Sequence, residues 1–195
     1  MSSININEDE FQFPYELFNA YPFETNLRNT FLTKDNELPD EYLYTQNITL
    51  ITSGLIMLYW EDEDGIKTII DFRRNGEVLR PAVDLADERL GIMRGVTMKD
   101  TKFIMLDKDF FCSCSLANKE VSTFYYELLT KDISSTYRQL KLHKETNLEK
   151  RYGTFLNEYS EIYNDITDRM VANYLGVHFT TLSRLKSKML KDAKK

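Results

Sequence analysis

The sequence predicts an α+β chain: an antiparallel β sandwich or barrel, then a long helix, then a helix-turn-helix. Three observations predict it. Short apolar strands alternate with turn signals between about residues 28 and 110. Apolar residues then recur at helical intervals from about residue 118. The stretch Asp168 to Ser187 places its apolar and small residues where two crossing helices need them.

The β elements follow from residue type. Asn47-Ile-Thr-Leu-Ile-Thr-Ser-Gly54 is rich in β-branched and apolar residues and ends on glycine. Leu55 to Trp60 is a second apolar strand. Glu61-Asp-Glu-Asp-Gly65 closes a hairpin through Asp-Gly, and Ile66 to Phe72 returns as its partner. Asn75-Gly76 is another turn, leading into Glu77 to Leu79, and Lys102 to Asp107 is a late strand. Strands at this spacing fit a sandwich or barrel and not βαβ units.

The helical part begins with Val121, Tyr125, Leu128, Ile133, Tyr137 and Leu140, which mark an amphipathic helix of about 25 residues. The stripe is longer than a small β domain needs for docking, so these six residues are expected to form a dimer seam; packing on the β domain is the alternative. Asn147 can cap the next helix, with Tyr152, Phe155, Leu156 and Tyr159 inward. In the final unit Val171, Ala172 and Leu175 face inward, Gly176 supplies a tight turn, and Val177, Leu182 and Leu185 line the second helix. His178, Phe179, Thr180, Thr181, Ser183, Arg184, Lys186 and Lys188 are left outward, the arrangement by which a helix addresses a DNA major groove. A buried αα-hairpin without a DNA role has the same spacing.

Charge favours the DNA reading. From Thr167 onward seven Lys/Arg stand against two Asp, while the whole chain carries −6. The basic footprint is therefore local, as phosphate contacts require, although the terminal lysines also suit a solvated face. With 42% hydrophobic residues, 195 residues suffice for one large domain or two small ones. No apolar run reaches the roughly eighteen residues of a transmembrane helix. The polar, acidic first residues do not resemble a secretory signal, so a cytoplasmic location without membrane contact is expected. Cys112 and Cys114 are expected to be ordinary reduced thiols, with a metal or redox pair as the alternative.

The order of these units resembles the Crp/Fnr family of bacterial transcription regulators. The resemblance rests on Ile51 to Tyr59, Glu63-Asp-Gly65, Asp71-Phe72 to Gly76-Glu77, Glu149 to Tyr159 (as in short members from Bacteroidetes-type bacteria), Val171 to Val177, and Thr181-Leu-Ser-Arg184. It implies a cyclic-nucleotide-binding-like jelly roll (double-stranded β-helix) over residues 1–116 and a dimerisation helix over 117–146. A winged-helix-like helix-turn-helix domain would follow over 147–195, with its wing reduced or absent. The implied partners are a second copy and a double-stranded, roughly palindromic DNA operator, with RNA polymerase as a further candidate.

Two departures from the family pattern shape the expectations. Nucleotide-responsive members carry Gly-Glu-Leu, then an Arg followed by Ser or Thr and Ala, for ribose and cyclic phosphate. This chain has Arg80-Pro81-Ala82 and Gly91-Ile-Met-Arg-Gly-Val96 instead. Losing those charge-assisted bonds, each worth about 1.5–3 kcal/mol, implies no cyclic AMP binding in the usual manner. Arg80 and Arg94 remain candidates for a different anionic effector, or for surface salt bridges. The family's Arg-Glu pair near the start of the recognition helix is replaced by Phe179-Thr180, so the operator should differ from the family consensus.

No cofactor or metal is expected. Residues 1–40 contain neither Cys nor His, which removes an N-terminal iron–sulfur ligand set, and His143 and His178 sit in the helical part. A cupin-type enzyme needs about three His on its β shell, and this one has none. Catalysis is accordingly not expected. The rival binding role is a helical C-terminus used for protein contacts.

Overall fold

The computed structural model describes residues 12–18, 26–43, 47–79 and 92–192. Among these, β1 (Leu27–Leu32), β6 (Thr101–Asp107) and β2 (Asn47–Ser53) form one antiparallel sheet, with β6 in the centre. A second sheet places β3 (Leu55–Glu61) between β4 (Lys67–Arg74) and β5 (Ile92–Thr97). Gly54 turns β2 into β3 at φ +114°, and a Cβ there would lie 2.7 Å from the Thr101 Cα, so both backbone and space require glycine. A short helix, α1 (Asp40–Leu43), precedes β2.

The strands separate two environments by alternation. Ile51, Ile56, Leu58, Phe103 and Met105 meet between the sheets. Their neighbours Ile48, Leu50, Ile104 and Leu106 face outward on the first sheet and are covered by helices. Leu55 and Met57 on β3, with Ile69 and Phe72 on β4, face the C-terminal helices. Both faces of β3 are thus covered, which is why Leu55 to Leu58 reads as an unbroken apolar run. The predicted strand Glu77 to Leu79 is reduced to one bridge, Val78 to Leu50.

The helical part begins earlier than the sequence pattern indicated. Asp107 caps α2 (Lys108–Ala117) by accepting from the Phe110 N–H, and Cys112 and Cys114 lie on this helix as free thiols. Asn118 is extended, breaks the helix, and caps α3 (Lys119–Lys144) by accepting from Glu120 and Val121. Asn147 caps α4 (Leu148–Glu158) as expected, accepting from Glu149 and Lys150. A 3₁₀ segment (Ser160–Asp165) leads to α5 (Asp168–Tyr174) and α6 (Phe179–Asp192). None of the described helices is long and apolar enough to cross a membrane.

The C-terminal helices dock on the β unit. Tyr152, Phe155, Tyr159, Val171, Ala172, Tyr174 and Leu182 share one cluster with Leu55, Ile69 and Phe72. Asn173 on α5 fastens the joint: its side-chain N–H donates to the Lys67 carbonyl at 2.8 Å, and its carbonyl oxygen accepts from the Ile69 N–H at 2.7 Å.

Candidate nucleic-acid interface

The helix-turn-helix is built on an inner face of buried and half-buried apolar residues. Thr167 caps α5 by accepting from the Met170 N–H, and Val171, Ala172 and Leu175 are buried beneath it. The helix ends in paired bonds, Val177 N–H to the Ala172 carbonyl and Gly176 N–H to the Asn173 carbonyl, each 2.9 Å. That pattern needs a left-handed residue, and Gly176 sits at φ +64°. Leu182 is fully buried, with Val177 and Leu185 packed beside it.

This scaffold turns most of the predicted contact residues outward. His178, Phe179, Thr180, Thr181, Ser183, Arg184 and Lys188 are exposed. His178 opens α6: its Nδ1 lies 2.9 Å from the Thr180 hydroxyl, and its carbonyl accepts from Thr181 and Leu182. Phe179 is stacked under Arg169, whose guanidinium carbon is 5.7 Å from the ring centroid. Arg169 is a residue that periodicity alone did not mark, because it lies on α5 and reaches the site only through the crossing. Lys188 is loosely held, 3.5 Å from Glu149.

Lys186 is placed differently from its neighbours. Its ammonium donates to both Asp168 oxygens at 2.6 and 2.7 Å and to the Tyr163 hydroxyl at 3.1 Å. Burial works against its charge, but the bonds to Asp168 and Tyr163 outweigh that and hold its pKa above the ordinary lysine value. Lys186 therefore clamps α6 to α5. Arg184, exposed in the middle of the helix, has no ion-pair partner among the described residues.

The six residues predicted as a dimer seam divide into two sets. Val121 and Leu128 are buried against the β sheet, with Tyr125 packed beside them. Ile133, Tyr137 and Leu140 are 55, 69 and 53% exposed, and Tyr126, unmarked in the sequence reading, is 69% exposed. The step from Leu128 to Ile133 is five residues, about 140° round a helix at roughly 100° per residue, so the stripe as read crosses from one face to another. Tyr126, Ile133 and Leu140 are spaced by sevens and Tyr137 falls at the intervening four, a spacing that suits two helices side by side.

The candidate effector arginines are not brought together. Arg94 on β5 pairs with Glu61 on β3 at 3.0 Å. Arg80 lies outside the described residues.

A buried polar network joins the units, and sequence reasoning did not find it. Arg73 on β4 pairs with Asp71 and with Asp132 on α3, each at 2.7 Å. Asp71 accepts from the Tyr159 hydroxyl at 2.7 Å, and the Tyr159 and Tyr174 hydroxyls are 3.1 Å apart. Burial, then the Asp71 charge, pushes the Tyr159 phenol far above its ordinary pKa. The available signal was Asp132, a charged residue on the inward face of an amphipathic helix.

No family model and no curated protein sequence matches the chain. Solved structures do match in fold. A cyclic-nucleotide-binding-domain protein from Listeria monocytogenes EGD-e is 15% identical with a TM-score of 0.74, over 91% of this chain and 88% of that one. FixK2 from Bradyrhizobium japonicum is 18% identical with a TM-score of 0.65, over 86% of each chain. A CRP/FNR-family transcriptional regulator from Thermus thermophilus is 14% identical with a TM-score of 0.63, over 85% of this chain and 87% of that one. The chain has a Crp/Fnr-like fold, with a β roll of the cyclic-nucleotide-binding type followed by a helical unit.

Proposed function

We propose that the chain is a sequence-specific DNA-binding transcription regulator that acts as a homodimer. The observation that carries this reading is the exposed face of α6, where Thr180, Thr181, Ser183 and an unpaired Arg184 project from a helix fixed on its inner side by Leu182 and Lys186. Hydroxyls and one arginine can read base edges, and Phe179 beside Arg169 can meet a thymine methyl and a phosphate. The likeness in fold to transcription regulators supports the same reading.

The proposed organisation is a sensor unit over about residues 1–116, a dimerisation helix over 117–146 and a DNA-binding unit over 147–195. Paired α3 helices, meeting through Tyr126, Ile133, Tyr137 and Leu140, would set two copies of α6 about 34 Å apart, one turn of DNA. Cyclic AMP is not the effector in this reading, because Arg80-Pro81-Ala82 supplies no ribose acceptor. RNA polymerase is a further partner that such a regulator would meet. No catalytic role is assigned.

Selection of bound duplexes from random DNA tests the proposal. A two-fold-symmetric motif with half-sites one helical turn apart is expected, with affinity falling steeply as salt rises. Retention of no sequence, with protein contacts insensitive to DNA, would favour the rival role in protein binding.

A further inference from the structure

A cleft of about 470 Å³ opens between the C-terminal half of α3 and α4, with α5 beneath. Its size suits a small organic molecule, for which sites of roughly 300–1,000 Å³ are usual. Leu142, Tyr159 and Tyr174, all buried, form an apolar and aromatic floor.

The polar groups on this floor and rim are biased toward donors. The Gln139 side-chain nitrogen is buried and meets no acceptor among the described residues. A buried N–H without an acceptor is costly, and a turn of the Gln139 side chain toward the cleft it lines would bring this donor to a ligand oxygen. Of the two carboxylates at the cleft, Glu158 pairs with Arg138 at 3.1 Å, while Glu145 keeps its charge and accepts from the Asn147 N–H at 2.9 Å. Lys141 and Lys144 line the cleft without an ion-pair partner among the described residues. Beside the Arg138–Glu158 pair, Lys141 and Lys144 stand against Glu145 alone, and this surplus of positive charge with one unmet donor above an apolar floor favours an anion with an apolar body over a cation or a sugar.

We propose that this cleft binds a small organic carboxylate on an aryl or alkyl frame, with the carboxylate toward Lys141, Lys144 and Gln139 and the frame on Leu142, Tyr159 and Tyr174. The walls belong to the long helix on one side and to the C-terminal helices on the other. A bound ligand therefore ties the two across the corner at Glu145 to Asn147. The site lies outside the β roll and rests on the cleft alone, whatever α6 binds.

Calorimetric titration of the full chain at low ionic strength tests it, using 2-naphthoate, 2-naphthalenemethanol and 2-naphthylmethylammonium as probes. The carboxylate is expected to bind once per chain, at least tenfold tighter than the alcohol or the ammonium, and more weakly as salt is added. The K141E/K144E double variant, altered only at exposed positions, should lose at least tenfold in naphthoate affinity, with a melting temperature lowered only slightly because both lysines lie in the last turn of α3, where the helix dipole favours cations. Gln139→Leu should weaken the same probe and leave the fold intact. Equal affinity for carboxylate and alcohol, no heat at millimolar naphthoate, or naphthoate binding that survives K141E/K144E would each overturn the proposal. DNA is absent from every arm, so failure here is distinguishable from failure of the regulator reading.

Discussion

Arg73 on β4 reaches Asp132 on α3 at 2.7 Å, with both side chains only 8% exposed. Asp71 holds the other edge of the same guanidinium, so one buried cation faces two carboxylates. The surplus negative charge extends to Glu77, whose carboxyl burial holds above the ordinary range, with Asp71 adding to the rise and Arg73 and Arg74 opposing it. Removing different members should therefore cost different amounts. Arg73→Met leaves two carboxylates buried without their cation and should destabilise by about 3–5 kcal/mol. Asp132→Asn leaves a neutral Arg73–Asp71 pair and should cost about 1–3 kcal/mol. Urea midpoints rank the two, and an Asp132→Asn loss equal to that of Arg73→Met would refute the charge account.

The two faces of α3 should separate folding from assembly. Leu128→Ala opens a cavity under the β sheet and should cost about 2–5 kcal/mol. The I133D/Y137D variant places charge on exposed positions and should leave the unfolding midpoint of the monomer nearly unchanged while abolishing self-association. Sedimentation beside denaturation distinguishes them; a dimer that survives both aspartates would exclude this face.

On α6, neighbouring basic residues should fail in different ways. Arg184→Ala should weaken operator binding by about 1–3 kcal/mol without altering stability. Lys186→Ala should instead lower the melting temperature, because it leaves Asp168 without its cation and frees α6 from α5. A Lys186→Ala protein of unchanged stability would sink the clamp assignment.

These contrasts mark what was legible in the sequence. Strand alternation, the Asn147 cap and the inner face of the helix-turn-helix were readable, because each depends on residues close in sequence. Gly176 could be placed because a tight turn demands its conformation. The roles of Lys186, Arg169 and Asn173 were not readable, since each is fixed by a partner brought close by the helix crossing or by docking on β4. The expected seam on α3 joined two different faces for a related reason. A helix covered by a sheet on one side and apolar on another yields two overlapping periodicities, and one stripe drawn through both changes face at Leu128.

His143 should make stability sensitive to mild acid. The residue is exposed, but its ring lies 5.4 Å from that of Tyr174, and partial desolvation there, followed by the nearby Arg151 charge, lowers its pKa from the ordinary imidazole value. The unfolded chain then binds the proton first as pH falls, so stability is complete above the ordinary imidazole range and declines below it. His143→Gln should flatten the melting temperature between about pH 7 and pH 5, around the imidazole value. A slope unchanged by the substitution would assign the acid sensitivity elsewhere.

Gly153 in the interior of α4 offers a gain. A Cβ at this position meets nothing within 4 Å. Gly153→Ala should therefore raise stability by roughly 0.8–1 kcal/mol, the helix-propensity difference alone. A loss measured by thermal unfolding would mean that the open space is needed by another group.

The Asn173 amide has a consequence for how the chain keeps itself apart from its copies. β4 is one of the two outermost described strands of its sheet, β5 being the other, and an uncovered strand edge is a template for runaway strand pairing between molecules. By occupying the Lys67 carbonyl and the Ile69 N–H, α5 stops that edge with a side chain that cannot propagate a ladder. The helix that carries Asn173 thus guards the sheet edge on which it docks. A fragment cut before α5 would expose a sticky edge and aggregate even where its β core is intact.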